Sequence, residues 1–177
     1  MSSQIIVQTH NKLAIDAALF GSIFIMALYH FSFYLHRKKD KTSLYFGFFC
    51  LTASIYVISA NEALIYIFFP TIPFRLAYIL LFVYYLAVPL YVSFVYSLFP
   101  TEFSFKIIQW IWLLFSLGYT FVILSSSEIG TVIEGHFLFV VPAALFYALM
   151  MVVKALIRKK KDAIYILAPN LVVLNMT

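Results

Sequence analysis

Seven carboxylates, four histidines and one cysteine are the side chains of this 177-residue chain best suited to acid–base, nucleophilic or metal chemistry. Their placing argues against all three. His10, His30, His36 and His136 are scattered without the spacing that metal ligands need. Asp16, Asp40, Glu62, Glu102, Glu128, Glu134 and Asp162 fall at the ends of apolar segments or in the loops between them. There is no Gly-rich phosphate loop, no His-Glu-x-x-His and no Gly-x-Ser-x-Gly. Cys50 stands alone in an apolar run, so it can form neither an internal disulfide nor a Cys-x-x-Cys metal site. We expect no enzyme, no metal and no cofactor.

The elements that carry these residues are long and greasy. The chain is 64% hydrophobic and 11% charged, against about 45–50% and about 25% for an ordinary soluble domain. A fold of this length cannot hide so much apolar surface, so a bilayer must be its solvent. Residues 17–36 alone make about 30 Å of helix, one hydrocarbon thickness. A signal peptide is excluded because the apolar core is too long and the cations follow it.

We expect an all-α polytopic transmembrane helix bundle. Its five full spans cover about 13–36, 43–60, 76–99, 107–124 and 136–157, with a partial sixth over 163–177 and a short extracellular segment at 1–12. Residues 63–69, punctuated by Pro70 and Pro73, read as an interfacial extension of the second span. Residues 125–135 read as a polar loop. Pro89 should kink span three, and Pro142 lies near the start of span five. These two prolines are the candidate flex points. Trp110 and Trp112 are expected near the interface, where indoles prefer to sit.

Charge sets the orientation. Arg37, Lys38, Lys39 and Lys41 form a basic knot between the first two spans. Arg158, Lys159, Lys160 and Lys161 form a second after the fifth. With Lys106 these make nine cations on one side, against Lys12 and Arg75 on the other. The positive-inside rule makes the nine-cation side cytoplasmic and puts the N-terminus outside, in a multi-pass protein of the cell membrane. The net charge of +5 then reflects topology and contact with a lipid bilayer bearing anionic headgroups. Nucleic acid is not an expected partner, because no basic folded surface exists to carry it.

Four residues keep functional interest: His30, Arg75, Glu62 and His136. His30 lies well inside span one, and ionisable groups within a membrane are functional candidates by default. With 13 tyrosines in the chain, a neutral imidazole hydrogen-bonded to a neighbouring tyrosine or serine is the plainer expectation. Arg75, Glu62 and His136 belong to an outer rim with Asp16, Glu128 and Glu134. That rim suits the sensing of an unidentified small-molecule ligand, although solvated loop ends carry the same residues and are the plainer expectation. Ala14, Ala18 and Ser22, with Ala17 and Gly21, give span one a small-xxx-small stripe. The stripe suits a homodimer face or packing within the bundle, and we expect the second.

Several strings resemble bacterial seven-transmembrane receptors with diverse intracellular signalling modules. They are Ala27-Leu28-Tyr29-His30, the first knot, and Leu44-Tyr45-Phe46-Gly47-Phe48-Phe49-Cys50-Leu51 with Ala53. Tyr84-Tyr85-Leu86-Ala87-Val88-Pro89-Leu90 and Leu98-Phe99-Pro100-Thr101-Glu102 follow in the same order. The resemblance covers spans one to five. It implies a helical sensor that receives a stimulus outside or within the membrane and passes it to a cytoplasmic kinase, cyclase or phosphatase. Relatives carry an ectodomain before the bundle, a seventh helix after it, and an arginine shortly after the position of Ala53. This chain has about twelve residues before span one, ends within the sixth segment, and has Ile55 and Tyr56 where that arginine would be. The output domain is therefore expected to be absent from this chain. The alternative is a transporter or permease component, which needs paired polar groups near the midplane, and the sequence offers little there beyond His30.

Overall fold

A run of cations at 37–41 and prolines at 70, 73 and 100 mark three of the breaks between the helices of this chain. The computed structural model describes residues 3–60, 62–124 and 127–158, and every regular element among them is an α-helix. In chain order these are α1 (Ser3–His36), α2 (Lys41–Ala60), α3 (Glu62–Phe68), α4 (Phe74–Leu81), α5 (Tyr84–Leu98), α6 (Phe105–Leu124) and α7 (Ser127–Ile157). Lys159, Lys160, Lys161, the partial sixth span and the side chains of Glu62 and His136 lie outside the described residues.

Among the described residues, four helical stretches are long and apolar enough to cross a membrane: Asn11–His36, Lys41–Ala60, Phe105–Leu124 and Phe139–Ile157. A shorter apolar helix covers Tyr84–Leu98. Their outward faces are apolar too: Ile25, Leu28, Leu117 and Phe146 are each more than half exposed. In water such a surface would aggregate, whereas in lipid it is solvated.

α1 ends in the first knot. The Arg37 N–H reaches back to the carbonyls of Phe33 and Tyr34 (3.0 and 3.1 Å), and the Asp40 N–H closes a turn on the Arg37 carbonyl at 2.8 Å. Asp40 then caps α2. Its Oδ1 accepts from the Thr42 N–H (3.1 Å), an orphan donor of the first turn, and its Oδ2 from the Ser43 hydroxyl (2.9 Å). Burial opposes ionisation of Asp40, but the bonds from Ser43 and Thr42 outweigh it and hold the carboxyl below its ordinary range.

The hairpin closes on aromatic contacts and one glycine. The His30 ring meets Phe46 edge-on at 4.5 Å, and Phe31 meets Phe48 at 5.0 Å. Gly47 lies under Phe31 so closely that a Cβ there would stand 3.0 Å from the ring. α2 runs antiparallel to α5 along a ladder of rings: Phe46 on Phe94 (5.0 Å), Phe49 on Tyr91 (5.7 Å) and Tyr56 on Tyr84 (5.1 Å).

α5 is the centre of the bundle. It touches α2, α6 and α7 and buries Tyr85, Val88, Pro89, Leu90, Val92, Ser93 and Val95. Against it α7 sets a stripe of small residues, Ala144, Ala148, Val152 and Ala155, all buried. This is the close packing that small side chains allow in membranes.

Three expectations from the sequence change here. Span three is interrupted at Phe82–Val83, where the N–H groups of Val83, Tyr85 and Leu86 each bond three residues back (3.2, 3.1 and 3.0 Å). Pro89 sits buried inside α5, and Phe82 and Val83 are buried too, so the irregular backbone is shielded from lipid. Over the expected extension of the second span, α3 buries Leu64 and Ile65 and sets Phe68 against Phe20 of α1 at 5.5 Å. α7 begins at Ser127, inside the expected polar loop; polar residues with an early acid, Glu128, suit a helix start. The stripe Ala14, Ala17, Ala18 and Ser22 is exposed, with open space around Gly21, so packing within the described bundle does not use it.

The two glycines give a direct test. Gly47→Val forces the Phe31 ring aside and should cost about 1–3 kcal/mol. Gly21→Ala meets nothing and should be neutral or slightly stabilising, since alanine is the better helix former. Thermal unfolding of both variants in detergent measures the difference; equal behaviour would contradict the Phe31–Gly47 contact.

Candidate functional site

α5 closes at Phe99, whose N–H bonds the Val95 carbonyl at 3.1 Å, and the Glu102 N–H then turns back on the Phe99 carbonyl at 3.0 Å. Phe99 and Phe103 are both buried and carry Glu102 inward between them. The Ser104 N–H donates to the Tyr147 hydroxyl of α7 at 3.3 Å, and the Tyr147 ring meets Phe103 edge-on at 5.6 Å. The loop between α5 and α6 is thereby pressed against the last turns of α7.

Glu102 is the centre of this junction. Its side chain has no exposure, while Arg158 Nη1 donates to its Oε1 at 2.8 Å and Lys154 Nζ stands 3.8 Å from its Oε2. The two cations remain about half exposed, at 56% and 50%. A buried carboxylate is costly unless charge and hydrogen bonds compensate it, so the arrangement binds the end of α7 to the α5–α6 loop. The sequence marked Glu102 only as a loop carboxylate and a family-like string, and it assigned Arg158 to topology alone. Nothing in the spacing of residues 102 and 158 foretells their meeting; the Phe-Pro-Thr-Glu-Phe string, with a carboxylate between large apolar residues, was the available signal.

The structure places the other candidates apart from it. His30 is half-buried between Tyr29 (5.4 Å) and Phe46 (4.5 Å). Its Nδ1 is buried with no hydrogen-bond partner among the described residues, so the expected bond to a tyrosine or serine is not made. Arg75, on α4, is exposed and donates to the Ile123 carbonyl at 3.2 Å. That carbonyl belongs to the last turn of α6, where a cation is favourable. Pro142 is exposed on α7. Trp112 Nε1 donates to the Ser93 hydroxyl at 2.8 Å, tying α6 to α5, whereas Trp110 is 69% exposed. Among the described residues no group of His, Cys, Asp and Glu could hold a metal ion.

The ladder between α2 and α5 and the Glu102–Arg158 contact put the first knot, the α5–α6 loop and the end of α7 at one end of the bundle. Arg37, Lys38, Lys39, Lys41, Lys106, Lys154 and Arg158 gather there, and Lys12 and Arg75 lie towards the other end.

Removing the strongest contact of the junction should register as stability. Arg158→Gln should cost about 2–3 kcal/mol, since it leaves a buried carboxylate facing one distant cation. Glu102→Gln, which removes the buried charge itself, should cost less, and the double variant less than the sum. Tryptophan-monitored denaturation in detergent reads all three. If Arg158→Gln behaves like Lys106→Gln at the same end, the contact contributes no stability.

Comparison with known proteins fits this arrangement. No curated protein and no solved structure matches the chain. The sequence profile of the family described as 7TM diverse intracellular signalling matches residues 12–175. A membrane protein by its helices, the chain belongs to that family, a membrane sensory domain of signalling receptors.

Proposed function

We propose that the chain is the membrane-embedded sensory module of a bacterial receptor, passing a stimulus from outside or within the bilayer to a cytoplasmic output domain. The supporting observation is the Glu102–Arg158 junction. It couples the end of α7 to the loop that joins α5 and α6, so a shift of α5 among its neighbours reaches α7. Helix packing, and not bond chemistry, is the working currency of such a module, and we assign the chain itself no enzymatic activity.

In this reading α1, α2, α4 with α5, α6 and α7 are five crossings. Residues 74–98 are together long enough for the third, at about 1.5 Å per residue. The cation-rich end is cytoplasmic by the positive-inside rule, which puts the N-terminus outside the cell membrane. Stimulus and ligand enter from the opposite end, where Arg75 joins α4 to the last turn of α6.

Orientation is measured by single cysteines placed in a Cys50→Ser background. Thr71→Cys should react with a membrane-impermeant maleimide on intact cells, and Lys39→Cys only after permeabilisation. The reverse pattern would sink the orientation.

The relay is tested in a full-length receptor of this family through its counterparts of Pro89 and Pro142. Alanine at both positions restores the missing N–H groups and stiffens α5 and α7. We expect unchanged insertion and a several-fold change in stimulated output. Unaltered output would dismiss the prolines as flex points.

A further inference from the structure

The two cation clusters at the knot end have different electrostatic surroundings. Lys154 and Arg158 face the buried carboxylate of Glu102. Arg37, Lys38 and Lys39 make no ion pair among the described residues. Asp40 is their neighbour in sequence, but both its oxygens accept hydrogen bonds from the first turn of α2. With Arg37, Lys38, Lys39 and Lys41 against Asp40 alone, the knot keeps a net positive charge, and Asp40 forms no ion pair with any of them among the described residues.

The shape at this point is concave. Leu35, His36, Arg37, Lys38, Lys39 and Asp40 line a shallow open hollow at the turn between α1 and α2. The Arg37 guanidinium lies over the Phe33 ring at 5.5 Å, which fixes its position. The N–H groups of Lys38 and Lys39 have no acceptor among the described residues. Leu35 is 66% exposed on the hollow's flank, and Phe33 is 38% exposed one turn into α1. Cations and free amides thus stand at the depth of a headgroup, with apolar side chains directly below at the depth of acyl chains.

We propose that this hollow is a binding site for the phosphate of an anionic glycerophospholipid, such as phosphatidylglycerol, in the leaflet that the knot faces. The proposal rests on the knot's lying at a membrane surface, in either orientation, and not on the relay. It gives the cations of the hollow, Arg37, Lys38 and Lys39, a ligand and leaves the second cluster compensated by Glu102. The ordered Asp40 cap contributes by holding the turn in one shape, so the cations are presented together.

The test uses the whole chain in phosphatidylcholine nanodiscs containing a minor share of spin-labelled phosphatidylglycerol, with the motionally restricted fraction as the readout. Lys38→Gln with Lys39→Gln should weaken retention roughly tenfold or more. Lys41→Gln with Lys106→Gln removes the same charge from the same end and should leave retention within about twofold. Lys38→Arg with Lys39→Arg should restore it, and circular dichroism confirms that every variant is folded. Equal losses in the two glutamine pairs would overturn the site in favour of diffuse attraction. Inorganic phosphate, added at constant ionic strength, should leave the lipid bound; displacement by phosphate alone would overturn a lipid occupant.

Discussion

Burial of α5 on three sides is the constraint from which the remaining geometry follows. In hydrocarbon, apolar side chains gain nothing by leaving lipid for protein, so helices associate through close fit and a few polar contacts. α5 obtains that fit from rings on one side and small residues on another. Phe46, Phe49 and Tyr56 of α2 meet Phe94, Tyr91 and Tyr84 in an antiparallel ladder, and Ala148, Val152 and Ala155 of α7 pack with Val92 and Val95. α2 is likewise held between α1 and α5, whereas α6 and α7 keep broad faces for lipid, as the exposure of Leu117 and Phe146 illustrates.

Three polar contacts then pin the bundle at three heights. Arg75 reaches the last turn of α6 at one end, Trp112 meets Ser93 between the ends, and Arg158 meets Glu102 at the other. Each joins different elements, and all three involve α6 or the loop that leads into it. Such contacts are directional where dispersion is not. A rigid displacement of α5 cannot therefore be absorbed by sliding alone; it must strain the Trp112 bond or carry α6 and the Glu102 junction along. That is the physical content of coupling in a bundle with almost no charge in its interior.

Much of this was legible in the sequence, because hydropathy and charge are one-dimensional. The four long apolar helices occur where the apolar runs are, and the first knot ends α1 because four cations cannot continue into lipid. What failed depends on which face a residue presents. The small-residue stripe of α1 has the same spacing as the packed stripe of α7, yet one is exposed and the other forms the core. Pro89 announced an irregular third span, but the interruption falls at Phe82–Val83, where buried packing shields the backbone. His30 was expected to find a polar partner and instead packs its ring on Phe46. Glu102 looked like one loop carboxylate among several, because its partners lie more than fifty residues further on.

Counting cations by side treats every lysine and arginine as equal, and the fold does not. At the knot end the charges that set topology divide by what faces them. Lys154 and Arg158 turn inward to a carboxylate that has no exposure, and their half-exposed side chains link protein to protein. Arg37, Lys38 and Lys39 outnumber the one carboxylate beside them, which caps α2 without an ion pair to any of them, so the turn stays net positive. The same composition thus yields an internal joint on α7 and an outward-facing basic hollow between α1 and α2. Sequence records both as basic knots; the difference between them is the placement of Asp40 and Glu102.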